Sequence, residues 1–355
     1  MRFVFTLLLT TLVLVLSGQY DFKHIKEIDC SSVKSQANTG TCWSFATASF
    51  LESELMRQGK GSIDLSEMYV VRNIYRDKAR NYVLRQGKAN FSQGSLSHDL
   101  ISIIKTGGVM PEAEYSGLLA GESAHDHSEM EAGLKGFLDG VMKSKRLSKK
   151  WPQAFEAILD VYLGPADDKF KVNGKQFDPQ GYANHLGIEP DEYVSLTSFT
   201  HHPFGESFIL EIPDNYSNGS YKNVPLADLI QTIDNAIDKG YTVAWDGDVS
   251  EEGFDARAGI AVLPKKEGRK NLFEEPGGEM RVTQELRQDL FESTVTTDDH
   301  LMHIVGLAKD KNDTEYYIIK NSWGEISPYK GFLYMSKAYA AMKTVSIMVH
   351  KDVIE

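Results

Sequence analysis

Cysteine is nearly absent from this sequence, since Cys30 and Cys42 are the two present among 355 residues. This excludes a disulfide-rich scaffold, and a chain of this length with 41% hydrophobic residues can bury a large core without such bonds. Basic residues are also scarce: 38 Lys and Arg stand against 50 Asp and Glu, which gives a formal net charge of −12. Apart from segment 143–150 no run is strongly basic, so a nucleic-acid-binding surface is not predicted.

Long apolar runs are missing except at the start of the chain, where residues 3–16 follow Arg2. A basic residue, an apolar segment and the small residues Ser17 and Gly18 are the layout of a secretory signal peptide. The run is shorter than the about 20 residues that span a bilayer. We therefore expect residues 1–18 to be a signal peptide and the protein to be periplasmic or secreted. An uncleaved anchor and a misassigned start codon are the alternatives.

Helical periodicity dominates the first half of the chain, and strand-like segments dominate the last third. Apolar spacing predicts helices over 42–58, 96–105 and 226–240, and another helix with Asp64 as N-cap and Glu67 in a capping box. Strands are predicted at 208–212, 241–245, 303–307, 316–320, 331–335 and 345–349. The charged segment 121–206 is interpreted as helices and loops outside the core. The pattern predicts an α+β fold with a cleft between two sub-domains.

Three segments carry residues suited to nucleophilic catalysis. In QANTGTCWSF, Cys42 begins a predicted helix, where backbone N–H groups and the helix dipole favour a thiolate. The side-chain amide of Gln36, together with the Cys42 N–H, could hold an oxyanion. A thiolate also needs a base, and the base needs a group that fixes its tautomer. His300 in DDHLMHIVG and Asn321 in KNSWG are the residue types for these two roles.

These three segments, in this order, resemble the papain-like cysteine peptidases. The resemblance implies a helical sub-domain and a β-barrel-like sub-domain with the catalytic cleft between them. It makes Cys42 the nucleophile, His300 the base and acid, Asn321 the group that orients His300, and Gln36 the oxyanion donor. Trp323 would shield the hydrogen bond between His300 and Asn321 from water. The chemistry implied is peptide cleavage through a thioester, with no metal or organic cofactor.

Within that family the sequence is most similar to the bleomycin hydrolase and aminopeptidase C group. The similarity rests on the absence of a long pro-segment, a large insertion, Thr39 where many members have Cys, and segment 240–249. It implies a helical half at 19–120, an insertion at 121–206 and a β-rich half at 207–355. The backbone of Gly94 and Ser95 would pair with the peptide substrate, and Asp248 would lie near the specificity pocket.

The resemblance also implies an aminopeptidase, and relatives that assemble as rings of six make a homo-oligomer plausible. Members of the group continue into a C-terminal tail that enters the cleft, whereas this chain stops at Glu355 after the 345–351 strand. An open-cleft endopeptidase and an inactive exported peptide-binding protein therefore stay as alternatives. An acyl-transfer enzyme that uses the same thioester is a weaker one.

Several residues of similar type have a structural interpretation instead. His303 is three residues from His300 on a predicted strand, so the two side chains point to opposite faces and only one can meet Cys42. Cys30 is interpreted as a buried small hydrophobe rather than as a disulfide partner of Cys42. Four other histidines, His125, His127, His201 and His202, are interpreted as loop residues rather than metal ligands.

Two acidic clusters are weighed in the same way. Asp298 and Asp299 are expected to cap the start of the strand that carries His300, with tuning of its imidazole as the alternative. The residues Asp246, Asp248, Glu251 and Glu252 form a cluster that could receive the free α-amino group of a substrate. Ordinary packing at a strand end is the alternative for Trp245, Asp246 and Asp248.

Overall fold

A computed structural model describes residues 20–265 and 269–354. The signal peptide predicted for residues 1–18 lies outside the described residues. Within the described ranges, no helix combines the length and the apolar character needed to cross a membrane.

Three helices of the described residues begin and end within two residues of the predicted bounds. The helices are α1 Cys42–Arg57, α2 Glu67–Leu84, α3 Ser97–Gly107, α4 Ser128–Met142, α5 Trp151–Leu163, α6 Pro179–Leu186, α7 Leu226–Lys239, α8 Gln284–Glu292 and α9 Lys337–Lys343. The predictions of α1, α3 and α7 are confirmed. Helix α7 ends at Gly240, whose φ of 86° is the left-handed conformation that glycine adopts without strain.

The predicted start of α2 is wrong. Ser66 is the N-cap, and its hydroxyl accepts a hydrogen bond of 3.0 Å from the Tyr69 N–H. The carboxylates of Asp64 and Glu67 instead contact the Lys34 ammonium group, at 2.6 Å and 2.8 Å. The capping-box pattern was misread because a cation from the preceding segment engages both carboxylates.

Strands of the described residues form one large mixed sheet and a separate hairpin. The strands are β1 Lys23–Glu27, β2 Phe170–Val172, β3 Lys175–Phe177, β4 Tyr193–Thr197, β5 Ser207–Ile209, β6 Ser220–Asn223, β7 Val243–Gly247, β8 Phe254–Asp255, β9 Ile260–Ala261, β10 His300–Lys309, β11 Glu315–Lys320, β12 Phe332–Ser336 and β13 Thr344–His350. The large sheet runs β5-β6-β4-β13-β7-β10-β11-β12-β9-β8. The hairpin is β2-β3.

Strand β10 lies near the middle of the large sheet and is long enough to have three neighbours. Its first half pairs with β7, placing His300 opposite Gly247. Its second half pairs with β1, and β11 lies along its other edge. Helix α1 packs against β10 and β7, so the helical half and the β-rich half meet where Cys42 and His300 lie.

The interpretation of segment 121–206 as lying outside the core is wrong. Helices α4 and α5 each bury an apolar stripe in the same core as α1 (Met130, Leu134, Leu138, Phe155, Leu159 and Leu163). Strand β4 belongs to the large sheet, where it pairs with β13 and β6. The charged residues between the apolar positions made the segment resemble a surface layer, although each helix has only one polar face.

Candidate active site

Helix α1 presents Cys42 at its first turn. Thr41 precedes the helix, and the Cys42 side chain is buried with a relative exposure of 8%. The Gly40 N–H donates a hydrogen bond of 2.7 Å to Gln93 Oε1, which fixes the turn into the helix. The sulfur atom therefore belongs to the first residue of α1, where the helix dipole favours its ionised form.

Strand β10 and the loop after β11 bring the base and its partner together. The His300 Nε2 atom lies 2.8 Å from Asn321 Oδ1. The same oxygen accepts a hydrogen bond of 2.7 Å from the Ser322 N–H, which identifies this Asn321 atom as the acceptor. His300 therefore carries its proton on Nε2 and leaves Nδ1 free to take a proton from a thiol. The ring of Trp323 covers His300, with centroids 4.5 Å apart and planes inclined by 31°.

Burial opposes the separate ionisation of the two catalytic groups. It raises the pKa of Cys42 to about 12, although a hydrogen bond with the Leu301 backbone acts in the opposite direction. It lowers the pKa of His300 to about 4, although the hydrogen bond that His300 donates to Asn321 acts in the opposite direction. The thiolate must therefore form by direct transfer of its proton to His300, with the start of α1 stabilising one charge and Asn321 the other.

Gln36 is held beside both catalytic segments. Its backbone N–H donates to the Ser322 carbonyl at 2.8 Å, and its Oε1 accepts from the Ser322 hydroxyl at 2.7 Å. Its Nε2 donates to the Thr39 carbonyl at 2.6 Å. A side-chain amide has two N–H groups, so one donor stays available for an oxyanion near Cys42.

A cavity of about 340 Å³ opens beside Cys42. Gly94 and Ser95 form part of its wall, as the resemblance implied. The Ser95 hydroxyl donates to Asp99 Oδ2 at 2.7 Å and is buried, so the side chain is engaged at the start of α3. The backbone of this segment is thus the part that can meet a peptide.

Four carboxyl groups line the same cavity: Glu131, Asp214, Asp298 and Asp299. The last two were predicted to cap a strand, with tuning of the His300 imidazole as the alternative, whereas Glu131 and Asp214 were not predicted at all. Glu131 lies on α4 and accepts a hydrogen bond of 2.8 Å from Gln93 Nε2. No motif surrounds either missed residue, and only the packing of the insertion helix α4 against α2 brings Glu131 to the site.

Asp248 is not among the residues that line this cavity. Its side chain is fully buried, 3.4 Å from the Lys343 ammonium group and 2.9 Å from the Ser250 N–H. Glu251 contacts the same lysine. Asp246 is buried as well and accepts a hydrogen bond of 2.9 Å from the Ser346 hydroxyl. Asp246 and Asp248 of the cluster predicted to receive an α-amino group are therefore internal, and Lys343 lies beside Asp248 and Glu251.

Neither His303 nor Cys30 lines the catalytic cavity. His303 is fully buried, and its Nδ1 lies 2.9 Å from the Ser49 hydroxyl on α1. It faces the middle of the helix rather than Cys42, as predicted. Cys30 and Cys42 are both free thiols, but Cys30 is half-buried rather than fully buried.

Within the described residues, one set of side chains has the composition of a metal site: His201, His202 and Glu211. The Thr200 N–H donates to Gln288 Oε1 at 2.6 Å, so the Gln288 Nε2 donates to His201 Nδ1 at 3.0 Å. His201 is therefore protonated on Nε2, which lies 3.2 Å from Glu211. In this arrangement both imidazoles contact the Glu211 carboxylate, and the geometry is that of imidazole–carboxylate hydrogen bonding.

Comparisons with known proteins agree with this arrangement. Residues 122–355 match the model of the Peptidase C1-like family, and residues 16–167 match that of the papain family cysteine protease. Aminopeptidase G of Lactobacillus delbrueckii subsp. lactis is 25% identical over 376 residues, covering 92% of this chain and 82% of that protein. Aminopeptidase C of Listeria monocytogenes is 23% identical, covering 93% and 82%.

Among solved structures, the crystal structure of pepw from Lactobacillus rhamnosis superimposes with a TM-score of 0.72 at 17% identity. The match covers 94% of this chain and 83% of that chain. At this identity the likeness concerns the fold. Together with the family matches, it confirms the predicted α+β, papain-like architecture.

Proposed function

The chain belongs to the Peptidase C1-like family, and we propose that this cysteine peptidase acts as an aminopeptidase on peptides. The observation that carries the proposal is a single cavity that contains Cys42 and the Gly94–Ser95 backbone, with His300 and Asn321 hydrogen-bonded behind the nucleophile. Relatives named aminopeptidases G and C, similar over more than 90% of this chain, support removal of residues from the N-terminus.

The reaction begins when the Cys42 thiol gives its proton to His300 and attacks the scissile carbonyl carbon. The carbonyl oxygen becomes an oxyanion, which the Cys42 N–H and Gln36 Nε2 stabilise. Collapse of this intermediate breaks the C–N bond, and His300 protonates the leaving amine. Water, deprotonated by His300, then cleaves the thioester and regenerates the thiol.

Hydrolysis of paired fluorogenic peptides tests the function. One peptide of each pair has a free N-terminus and the other is N-acetylated, and both are offered to the wild type and to Cys42→Ala under reducing conditions. We expect cleavage of the free peptide alone and its loss in Cys42→Ala, while Cys30→Ala keeps full activity. Equal cleavage of both peptides would indicate an endopeptidase, and cleavage of neither would favour a peptide-binding protein.

Export of the protein is also a proposal. It is supported by Arg2, the apolar run 3–16 and the small residues Ser17 and Gly18. Expression of the full chain and of a form lacking residues 2–18, followed by cell fractionation and N-terminal sequencing, tests it. Recovery of both forms in the cytoplasm with an intact N-terminus would contradict export.

Assembly into a homo-oligomer is a further proposal, supported by the resemblance to a group whose members form rings of six. Light scattering coupled to size-exclusion chromatography gives the mass directly. A value near the 39.7 kDa of one chain would contradict it.

A further inference from the structure

The segment between β5 and β6 crosses from the β-rich half to the wall of the catalytic cavity. It carries Asp214, whose carboxylate occupies the space where a side chain at Gly94 would lie. A methyl group added to Gly94 would overlap both carboxylate oxygens, so the close approach requires glycine at that position. Asp214 therefore covers the backbone that the family resemblance assigns to pairing with the substrate.

Hydrogen bonds hold this segment in place. The Asn90 Nδ2 atom donates to Asp214 Oδ1 at 3.2 Å and to the Pro213 carbonyl at 3.0 Å. The Asn215 side chain ties the segment to itself, since its Nδ2 donates to the carbonyls of Leu210 and Gly219 at 2.9 Å and 3.0 Å. The Asp214 carboxylate is therefore a fixed feature of the cavity wall.

Of the four carboxyl groups in the cavity, Asp214 is the one best placed to receive a cation. Glu131 already accepts a hydrogen bond from Gln93, and Asp299 is exposed and bonded to the Thr297 hydroxyl at 2.8 Å. Asp298 is hydrogen-bonded to the buried Asp246 carboxyl, so these two groups share a proton. The Asp214 carboxylate differs from the shared-proton pair because it accepts a hydrogen bond from a neutral amide, that of Asn90.

The charge of Asp214 is only partly offset. Among the ion pairs of the described residues none includes Asp214, and burial raises its pKa. Lys78 is the nearby cation, but its ammonium group is buried behind the wall, where it donates to the carbonyls of Ser92 and Gly94. A positively charged group that enters the cavity would complete the pairing of this carboxylate.

We propose that Asp214 receives the α-ammonium group of the peptide and limits cleavage to the N-terminal end. The proposal deepens the proposed aminopeptidase function and rests on it. An extended substrate that continued along Gly94 would meet the Asp214 carboxylate, so only a chain that ends there fits. The ammonium group of that chain gains a charged hydrogen bond, whereas an N-acetyl group gains none and collides with the carboxylate.

The test compares Asp214→Asn with the wild type on coumarin substrates carrying a free or an acetylated N-terminus. The aminoacyl or the dipeptidyl series is used, whichever the wild type cleaves faster. Asn keeps the shape of Asp and its hydrogen bond from Asn90, provided that the amide oxygen takes the place of Oδ1. We expect kcat/KM for the free-amine substrate to fall by about 10- to 100-fold, mainly through KM, because a charged hydrogen bond is lost.

Asp214→Ala separates the charge from the bulk of the side chain. It should lose the same preference for a free amine and, in addition, cleave acetylated substrates faster than the wild type. Asp289→Asn, an exposed residue on α8, is the matched control and should leave both rates unchanged. Labelling of Cys42 by iodoacetamide, with circular dichroism, shows that each variant is folded with an intact nucleophile.

The outcomes distinguish the role of Asp214 from the aminopeptidase function on which that role rests. A wild type that prefers free amines, with folded Asp214 variants that keep the same preference, would overturn the role of Asp214 and leave the aminopeptidase function standing. A wild type without any preference would overturn the aminopeptidase function itself. A preference that disappears in both variants supports the assignment.

Discussion

Helix α1 borders two polar regions that contain similar residue types and behave differently. One is the catalytic cavity at its first turn. The other, which we call the inner network, lies along the body of the helix (Ser31, Lys34, Ser49, Glu52, Glu67, His303 and Lys320). The space within the inner network is about 10 Å³, against about 340 Å³ for the cavity. That is room for one water molecule at most, so the inner network cannot bind a peptide.

Charge pairing distinguishes the two regions as well. In the inner network, the Lys320 ammonium group donates to the hydroxyls of Ser31 and Ser49 at 2.8 Å and 2.7 Å. Ser31 in turn donates to the Glu52 carboxylate, and Lys34 contacts Glu67. In the cavity, Asp214 has no direct cationic partner within the described residues. Open space and incomplete charge pairing, rather than residue type, therefore mark the functional region.

The largest expected difference concerns the two histidines. His300→Ala should lower kcat/KM by at least about 1000-fold, because the base and acid of the reaction are lost. His303→Ala should lower the free energy of unfolding by about 2–3 kcal/mol, since it leaves a cavity and removes the acceptor of the Ser49 O–H group. Peptide hydrolysis and urea unfolding of both variants measure the two effects.

A reversal of this pattern would break the comparison. If His303→Ala abolished cleavage while remaining folded, the inner network would have a catalytic role. If His300→Ala kept most of the activity, His300 would not be the base.

The second expected effect is a loss of stability when a buried charge is removed from the inner network. Lys320→Met should lower the free energy of unfolding by about 3 kcal/mol, because the buried Glu52 carboxylate loses a nearby cation. The Glu52→Gln/Lys320→Met double variant should recover part of the loss, because neither charge is then left alone. Urea unfolding of the two single variants and the double variant gives the coupling. A Lys320→Met variant as stable as the wild type would show that the network is not held by charge.

The prediction of the catalytic residues rests on short segments whose chemistry is local. Cys42 needs only the start of a helix, and His300 and Asn321 lie in contiguous strand and loop segments. The hydrogen bond between His300 and Asn321, and the position of His303 against α1, agree with the predicted roles.

The acidic side of the cavity could not be predicted in the same way. Asp246 and Asp248 are close in sequence to other carboxyl groups, but burial, Lys343 and Ser346 make them internal. Glu131 and Asp214 reach the cavity only through long-range packing of the insertion and of the segment between β5 and β6. The helices of the insertion were predicted outside the core because segment 121–206 as a whole is rich in charged residues, which mask the narrow apolar stripes that α4 and α5 bury.

The smallest expected effect is a pH dependence of the free energy of unfolding, which distinguishes Asp298 from Asp214. Asp246 Oδ1 and Asp298 Oδ2 are buried, and no N–H or O–H donor of the described residues reaches them. The hydrogen bond between the two side chains requires a proton on one of the carboxyl groups. Burial raises the pKa of Asp246 to about 7, and burial with the neighbouring Asp246 raises the pKa of Asp298 well above its ordinary range.

This pair should make the folded protein less stable as the pH rises. In the unfolded chain the Asp246 carboxyl loses its proton near its ordinary pKa of 3.8, whereas the folded protein keeps it until about pH 7. Between these values only the unfolded state releases a proton, so the stabilisation present below pH 4 is lost as the pH rises through 7.

Asp298→Asn supplies a permanent N–H donor to Asp246 and should remove this loss. Its free energy of unfolding should exceed that of the wild type by an amount that grows between pH 4 and pH 8 to about 1–2 kcal/mol. Asp313→Asn, in an exposed turn, is the control and should follow the wild type at every pH. A constant difference between Asp298→Asn and the wild type across this range would mean that the two carboxyl groups share no proton, and Asp298 would then join Asp214 as a charged wall of the cavity.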